Sequence, residues 1–203
     1  MESQILKSSL TLLIFFFIIL TTFTPSAVSS SSSTVRPVQP HIRKACKPTP
    51  YPRLCETALS LYASQTKRNQ QELCRAAMVS SLKAAQNATS IISKLSRRKM
   101  SAYEAEVIGD CIDNLKDSVD ELRRASTAIK SLSRSKDVDF QLNSIKTWMS
   151  AAQTDVITCT DGLSGGSGWK VSKMLKKDVK NCSINVVRQI SNALFLINNF
   201  NYK

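Results

Sequence analysis

The cysteines are the residues of this 203-residue chain with the most constrained chemistry, because there are six of them and only one histidine. Thiolates bind zinc when they lie in C-x-x-C pairs or together with histidines. The chain has no C-x-x-C pair, and His41 stands alone at the end of a Ser/Pro-rich segment. We therefore expect no metal site, and we expect disulfides if the chain is exported to an oxidising compartment.

The other residues do not favour catalysis. A Ser/His/Asp or Cys/His arrangement needs a histidine in the folded region, and His41 precedes that region. The run Gly165-Gly166-Ser167-Gly168 has a composition that can cradle a phosphate, but no strand pattern precedes it and no Gly-Lys-Ser follows it. We expect a flexible interhelical loop there, no cofactor and no enzymatic activity.

Residues 1–29 have the pattern of a signal peptide. Lys7 precedes an apolar run from Leu12 to Leu20, and Ala27-Val28-Ser29 is suited to cleavage. Because this run is much shorter than the roughly 20 residues of a membrane-spanning helix, we favour cleavage over a retained signal anchor. The prediction is a secreted, extracellular protein in which residues 30–41 form a flexible Ser/Pro-rich segment.

The formal net charge of +13 indicates either an anionic partner or a solvated basic surface. A secreted chain rarely meets nucleic acid, so we expect no nucleic-acid binding. We also expect no membrane binding after signal cleavage. Attraction to an anionic cell-wall polysaccharide fits the charge better.

Apolar residues recur at intervals of three, four and seven, which is the periodicity of amphipathic helices. We predict long helices within 69–97, 101–133 and 138–161, and a fourth after the glycine-rich loop. Ser101 and Glu104 can form a capping box, and Gly162 ends the third helix. The predicted inward-facing residues include Cys74, Met78, Leu82, Ile108, Ile112, Leu115, Leu142, Ile145, Met149, Val179, Cys182 and Val186.

Four such helices joined by short loops bury their apolar stripes most simply as an up-and-down four-helix bundle, so the predicted fold is all-α. We place the bundle at 69–200, within a domain that spans 42–203. The first two cysteines precede the bundle. The segment 42–63 is therefore predicted to be a separate hairpin of short helices.

Seven of the chain's 15 acidic residues lie in one stretch of 18 residues, 104–121, inside the second predicted helix. Asp110, Asp113, Asp117 and Asp120 are spaced by three, four and three residues, which aligns them along one helix face. Like charges at these spacings cost roughly a few tenths of a kcal/mol per pair. We infer that this face contacts a partner; a solvated acidic face is the alternative.

Three blocks of the sequence carry a specific resemblance. They are Cys46–Cys55 (CKPTPYPRLC), Gly109–Leu122 (GDCIDNLKDSVDEL), and Thr147–Ala152 (TWMSAA) with Thr158–Gly162 (TCTDG). These blocks resemble the N-terminal hairpin, the third-cysteine helix and the fourth-cysteine helix of the plant invertase and pectin methylesterase inhibitor family. The resemblance implies a non-enzymatic four-helix bundle with an N-terminal helical hairpin, which binds and blocks a cell-wall carbohydrate enzyme.

The family contains inhibitors of two unrelated enzymes, and a shared fold does not decide between them. Invertase inhibitors similar to this chain carry a Pro-Lys-Phe triplet between the third- and fourth-cysteine helices. Here Asp137–Phe140 retains the Phe and lacks the Pro-Lys, and Trp148–Ala152 is more similar to the other branch. We expect a stoichiometric inhibitor that blocks the pectin-binding cleft of pectin methylesterase and so regulates pectin de-esterification in the apoplast.

Other functions stay open at this point. One is inhibition of cell-wall or vacuolar invertase. Another is a basic wall protein that binds polysaccharide, for which we expect electrostatic contact with acidic pectin. A third is the pro-region of a pectin methylesterase, which shares the fold, but the sequence ends at Lys203 without a catalytic domain, so we expect a separate inhibitor.

The resemblance also implies the pairing of the cysteines, Cys46 with Cys55 and Cys111 with Cys159. In an up-and-down bundle, the heights of Cys111 and Cys159 are consistent with this pairing. Cys74 and Cys182 should lie roughly 15 to 20 Å apart at about 1.5 Å of rise per residue. A disulfide needs Cα atoms within about 7 Å, so we predict two buried free thiols.

By the same resemblance, polar contacts to the enzyme fall on four residues of this sequence, namely Asp113, Asp117, Asp120 and Thr158. Inhibition then needs no chemistry, because a rigid helical face laid over a shallow cleft excludes the substrate. Carboxylates on that face would steer association toward a basic enzyme.

Two N-x-S/T sequences can accept an N-linked glycan. Asn87 lies off the apolar stripe of its helix and is the predicted glycosylation site. Asn181 is disfavoured because its neighbour Cys182 is expected on the buried face.

Overall fold

Helices form every regular element that the structure describes. The computed structural model describes residues 38–66, 69–164 and 171–201, so the expected signal peptide and the glycine-rich loop lie outside the described residues. Three short helices come first: α1 (Pro40–Cys46), α2 (Pro52–Ser60) and α3 (Ala63–Thr66). Four long helices follow: α4 (Gln70–Leu95), α5 (Ala102–Ala128), α6 (Val138–Asp161) and α7 (Lys173–Asn198). Short 3-10 turns follow α5 at Ile129–Arg134 and α6 at Gly162–Ser164.

The four long helices form the bundle that the apolar periodicity predicts. Helix α5 packs against α4 and α6, and α7 packs against the same two helices, so α5 and α7 occupy diagonal corners. Met78, Leu115, Met149 and Ile190, one from each helix, are fully buried at the centre. The predicted all-α up-and-down bundle is therefore confirmed. Among the described residues, no helix combines the length and apolarity that crossing a bilayer requires.

Local capping signals fix where the long helices begin. The Ser101 hydroxyl accepts from the Glu104 N–H, and the Glu104 carboxylate accepts from the Ser101 N–H, which confirms the predicted capping box. Asp137 is the N-cap of helix α6, and its side chain accepts a hydrogen bond from the Phe140 N–H at 2.9 Å. It ends at Asp161 as expected, although Gly162 stays right-handed and continues into a 3-10 turn.

The N-terminal hairpin is longer than the sequence indicates. Helix α1 begins at Pro40, so the last two residues of the segment expected to be flexible, 30–41, are helical. Proline is favoured in the first turn of a helix because backbone N–H groups have no intrahelical acceptor there, so proline loses no hydrogen bond. His41 lies 3.0 Å from the hydroxyl of Thr66, which connects α1 to the end of α3. Helix α2 then packs against α4 and α7.

The two cysteines outside disulfides have different surroundings. Cys74 is buried, and burial raises the pKa of its thiol to about 12, so it carries no thiolate at physiological pH. Cys182 is only half-buried, so the prediction of a buried thiol there is wrong. The neighbouring Ser183 takes the fully buried position instead, 3.8 Å from the sulfur of Cys159. Leu82 and Ile112, also expected inside, are half-buried.

Glu104 connects the beginnings of α5 and α7. Its carboxylate accepts from the backbone N–H of Ser172 at 2.9 Å and from that of Ser101 at 3.0 Å. These hydrogen bonds, with Ser172 first, lower the pKa of Glu104 from 4.5 to about 2. Hydrogen bonds to the charged form favour that form, so the carboxylate stays ionised well below its usual range.

We expect the substitution E104Q to lower the melting temperature at pH 7. A group whose folded pKa is depressed adds stability above its unfolded pKa and loses it as the pH falls toward the folded pKa. The difference in melting temperature from the unchanged protein should therefore shrink between pH 4.5 and about pH 2. Thermal unfolding followed by circular dichroism tests this, with the exposed neighbour variant E106Q as control. A difference independent of pH would contradict the assignment.

Candidate functional site

An acidic groove of about 550 Å³ lies between α5 and α6. Its carboxylates come from both helices, with Glu106, Asp110, Asp113 and Asp117 on α5 and Asp161 on α6. Thr158 and the two cysteines of the Cys111–Cys159 disulfide also line it. The groove thus combines a strongly negative surface with a covalent link between its two walls.

The walls of the acidic groove are held in fixed positions. The disulfide links α5 to the last turn of α6 and places the Cα atoms of Cys111 and Cys159 4.1 Å apart. Further along the same helix pair, the buried hydroxyl of Ser118 donates to the carbonyl of Ala152 at 2.9 Å. A surface that is already rigid loses little conformational entropy when a partner binds.

The structure brings together three of the four residues predicted to contact an enzyme. Asp113, Asp117 and Thr158 are exposed and line the acidic groove. Asp120 does not lie there. It lines a separate groove toward α4, beside Thr89, and forms an ion pair with Arg123.

Basic side chains accompany several of the α5 carboxylates at a spacing of three residues. Lys116 pairs with Asp113 at 2.8 Å, and Arg124 pairs with Glu121 at 3.2 Å. These pairs are on the surface, where each contributes at most about 1 kcal/mol. They still offset the like-charge repulsion expected along this face. The sequence already indicates these ion pairs, because the acidic and basic residues lie three positions apart on a helix.

Asp155 of α6 extends the negative surface beyond the groove, and sequence reasoning missed it. Partial burial raises the pKa of Asp155, and the nearby carboxylates of Asp117 and Glu121 raise it further. Glu121 carries one buried carboxylate oxygen without a hydrogen-bond partner among the described residues. The carboxylates of Asp117, Glu121 and Asp155 thus lie close together where α5 and α6 are in contact.

The two acceptor sequences for N-linked glycans both lie on exposed helix surface. Asn87 is exposed on α4, and its glycosylation stays a prediction. Asn181 is exposed on α7, and the reason for disfavouring it fails because Cys182 is not buried.

Comparisons of the sequence with a family model and with individual proteins both find relatives. The family model for plant invertase/pectin methylesterase inhibitors matches residues 40–196. The chain is 36% identical over 172 residues to a 21 kDa protein of Daucus carota, covering 83% of this chain and 87% of that protein. It is 36% identical over 170 residues to pectinesterase inhibitor 9 of Arabidopsis thaliana, covering 78% of this chain and 79% of that protein.

A solved structure shares the fold. The crystal structure of a mutant form of a pectin methylesterase inhibitor from Arabidopsis superposes with a TM-score of 0.61 at 17% identity, covering 80% of this chain and 99% of that one. At this identity the similarity supports the bundle and its hairpin. The family assignment rests on the sequence match, which spans most of the chain. The chain therefore belongs to the plant invertase/pectin methylesterase inhibitor family.

Proposed function

We propose that the protein is a secreted inhibitor of pectin methylesterase that acts by forming a stoichiometric complex. Similarity to pectinesterase inhibitor 9 over 79% of that protein supports the choice of target. The acidic groove is the observation that carries the mode of action, because Asp113, Asp117 and Thr158 converge on one rigid and exposed surface. In this proposal the protein regulates pectin de-esterification in the apoplast.

The mechanism is steric and electrostatic. A specific protein interface buries roughly 800 Å² on each partner, and the α5–α6 face would cover that area of the enzyme's pectin-binding cleft. Carboxylates around the groove would attract a basic rim on the enzyme and raise the association rate.

Assays of the purified protein against pectin methylesterase and acid invertase in parallel test the proposal. We expect saturating inhibition of the esterase at one inhibitor per enzyme, and no inhibition of invertase at the same concentration. Titration of the esterase by continuous measurement of released acid gives the stoichiometry. If the correctly folded protein does not inhibit the esterase, the proposal is contradicted.

Inhibition of invertase is the second candidate, and one residue supports it. Phe140 is 70% exposed in the first turn of α6, where the family's invertase inhibitors carry the Phe of their triplet. Asp139 precedes it in place of a lysine, so the flanking charge is reversed. Any invertase inhibition found in the parallel assay should be lost in F140A, whereas esterase inhibition should be unaffected.

A further inference from the structure

A second groove, which we call the basic groove, lies where the N-terminal hairpin meets α7. Its volume is about 560 Å³. Tyr51, Pro52 and Arg53 line it from the hairpin, and Ile184 and Arg188 line it from α7. It therefore combines an aromatic ring, two guanidinium groups and a small apolar surface.

The aromatic side of the basic groove is held in place by a buried amide. Asn192 is only 4% exposed, and its side chain binds the backbone of Tyr51 twice. The Tyr51 N–H donates to Asn192 Oδ1 at 2.9 Å, and Asn192 Nδ2 donates to the Tyr51 carbonyl at 3.0 Å. Prolines flank Tyr51 on both sides, and the Cys46–Cys55 disulfide closes the loop that contains it. Such a platform is preorganised for a ligand.

The arginines are presented to solvent beside this ring. Arg188 is exposed, and its guanidinium carbon lies 5.3 Å from the centre of the Tyr51 ring, within cation–π distance. Arg53 is exposed on the same side of the hairpin. The planar fork of a guanidinium group binds carboxylates with two parallel hydrogen bonds.

A row of lysines leads along α7 toward the basic groove. Lys173, Lys177 and Lys180 are exposed and continue toward Ile184 and Arg188 at spacings of three and four, so they share one helix face. With five basic residues and one acidic residue, α7 carries a net charge of +4. Helix α5, at the diagonal corner of the bundle, has seven acidic and three basic residues and a net charge of −4. The charges of the two helices are thus separated onto opposite sides.

We propose that the basic groove binds a polyuronate chain, with carboxylates on Arg53 and Arg188 and one sugar ring against the exposed part of the Tyr51 ring. The C–H groups of a pyranose ring pack against an aromatic face, and repeated carboxylates match a row of cations. The choice of a polyuronate rests on the proposed function, because removal of methyl esters from pectin produces this polymer. The basic and acidic grooves share no lining residue, so polymer binding leaves the acidic groove open to the enzyme.

Binding of the full-length oxidised protein to polygalacturonate, measured by calorimetry at low ionic strength, tests this site. The double variant R53Q/R188Q should bind about tenfold more weakly, as expected for the loss of two solvent-accessible ion pairs. The matched control K130Q/R134Q removes two exposed positive charges from the 3-10 turn after α5, outside the basic groove, and should change the affinity less than about twofold. Y51A should weaken binding severalfold, whereas Y51F should bind normally. Fully methyl-esterified pectin, which lacks the charges, should bind weakly to every variant.

Inhibition of pectin methylesterase is measured on the same samples. R53Q/R188Q should inhibit as strongly as the unchanged protein. Polygalacturonate binding therefore tests the basic groove, and esterase inhibition tests the proposed function separately. Equal weakening by R53Q/R188Q and K130Q/R134Q would overturn the site, because it would indicate diffuse attraction. Equally tight binding to phosphatidylserine vesicles or to a single-stranded RNA homopolymer would also overturn it. So would normal polygalacturonate binding by a folded Y51A/R188Q variant.

Discussion

Replacing Asp113 and Asp117 together by Asn is expected to slow association with pectin methylesterase about tenfold at low ionic strength. Both carboxylates line the acidic groove and are exposed, so their removal deletes the charge that attracts a basic partner. The melting temperature should stay unchanged, since exposed substitutions rarely change stability by more than about 0.5 kcal/mol. Stopped-flow or surface-binding kinetics at several salt concentrations measure the effect, and the salt dependence should become shallower.

Two comparisons sharpen this prediction. D120N should have a smaller effect, because Asp120 lines a different groove. The double variant E56Q/D139N removes the same charge elsewhere and should associate normally. If D113N/D117N inhibits with the same rate as the unchanged protein, the α5 face is a solvated surface and the enzyme contacts another side of the bundle.

Removing the Cys111–Cys159 disulfide by substituting both residues with Ala is expected to lower the free energy of unfolding by about 4 kcal/mol. The bridge closes a loop of 48 residues, so it restricts the unfolded chain strongly. Typical domains have only about 5 to 15 kcal/mol of stability in total, so the loss is large. Urea denaturation at constant pH measures it. Since both cysteines line the acidic groove and the bridge joins its walls, esterase inhibition should fall as well.

The other bridge provides the internal comparison. Cys46 and Cys55 are nine residues apart, and the same chain-entropy relation gives about 2.5 kcal/mol for their double Ala variant. That variant should retain esterase inhibition, because its loop lies at the basic groove. A larger loss of stability from the short loop than from the long one would show that chain entropy does not govern these disulfides.

The parts of the fold that were predicted correctly depend on interactions within a few residues. Ser101 and Glu104 form their capping box, and α6 runs from Val138 to Asp161 as its periodicity indicates. Apolar spacing and capping are local, so they can be read without knowing the neighbouring helices. The start of α1 was missed because Pro40 was assigned to the Ser/Pro-rich segment, although proline also suits a first helical turn.

Errors arose where helix packing decides between adjacent residues. Cys182 and Ser183 both lie at the edge of the apolar stripe of α7, and their side chains are similar in size. In the packed bundle Ser183 is fully buried beside Cys159, and Cys182 is half-buried. The row of aspartates is too long for one groove, because at about 1.5 Å of rise per residue Asp120 lies about 10 Å beyond Asp113 along α5. Asp120 therefore lines the neighbouring groove toward α4.

The helices, the bundle, the family resemblance and the concentration of acidic residues on α5 can all be read from local spacing and composition. Which charges act together depends instead on how the helices pack. Asp155 and Asp161 of α6 join the α5 carboxylates because those two helices are neighbours. Arg53 and Arg188 line one groove because Asn192 anchors the hairpin to α7 across 141 residues of chain. Both surfaces combine residues that are distant in sequence, and only packing of the bundle brings them together.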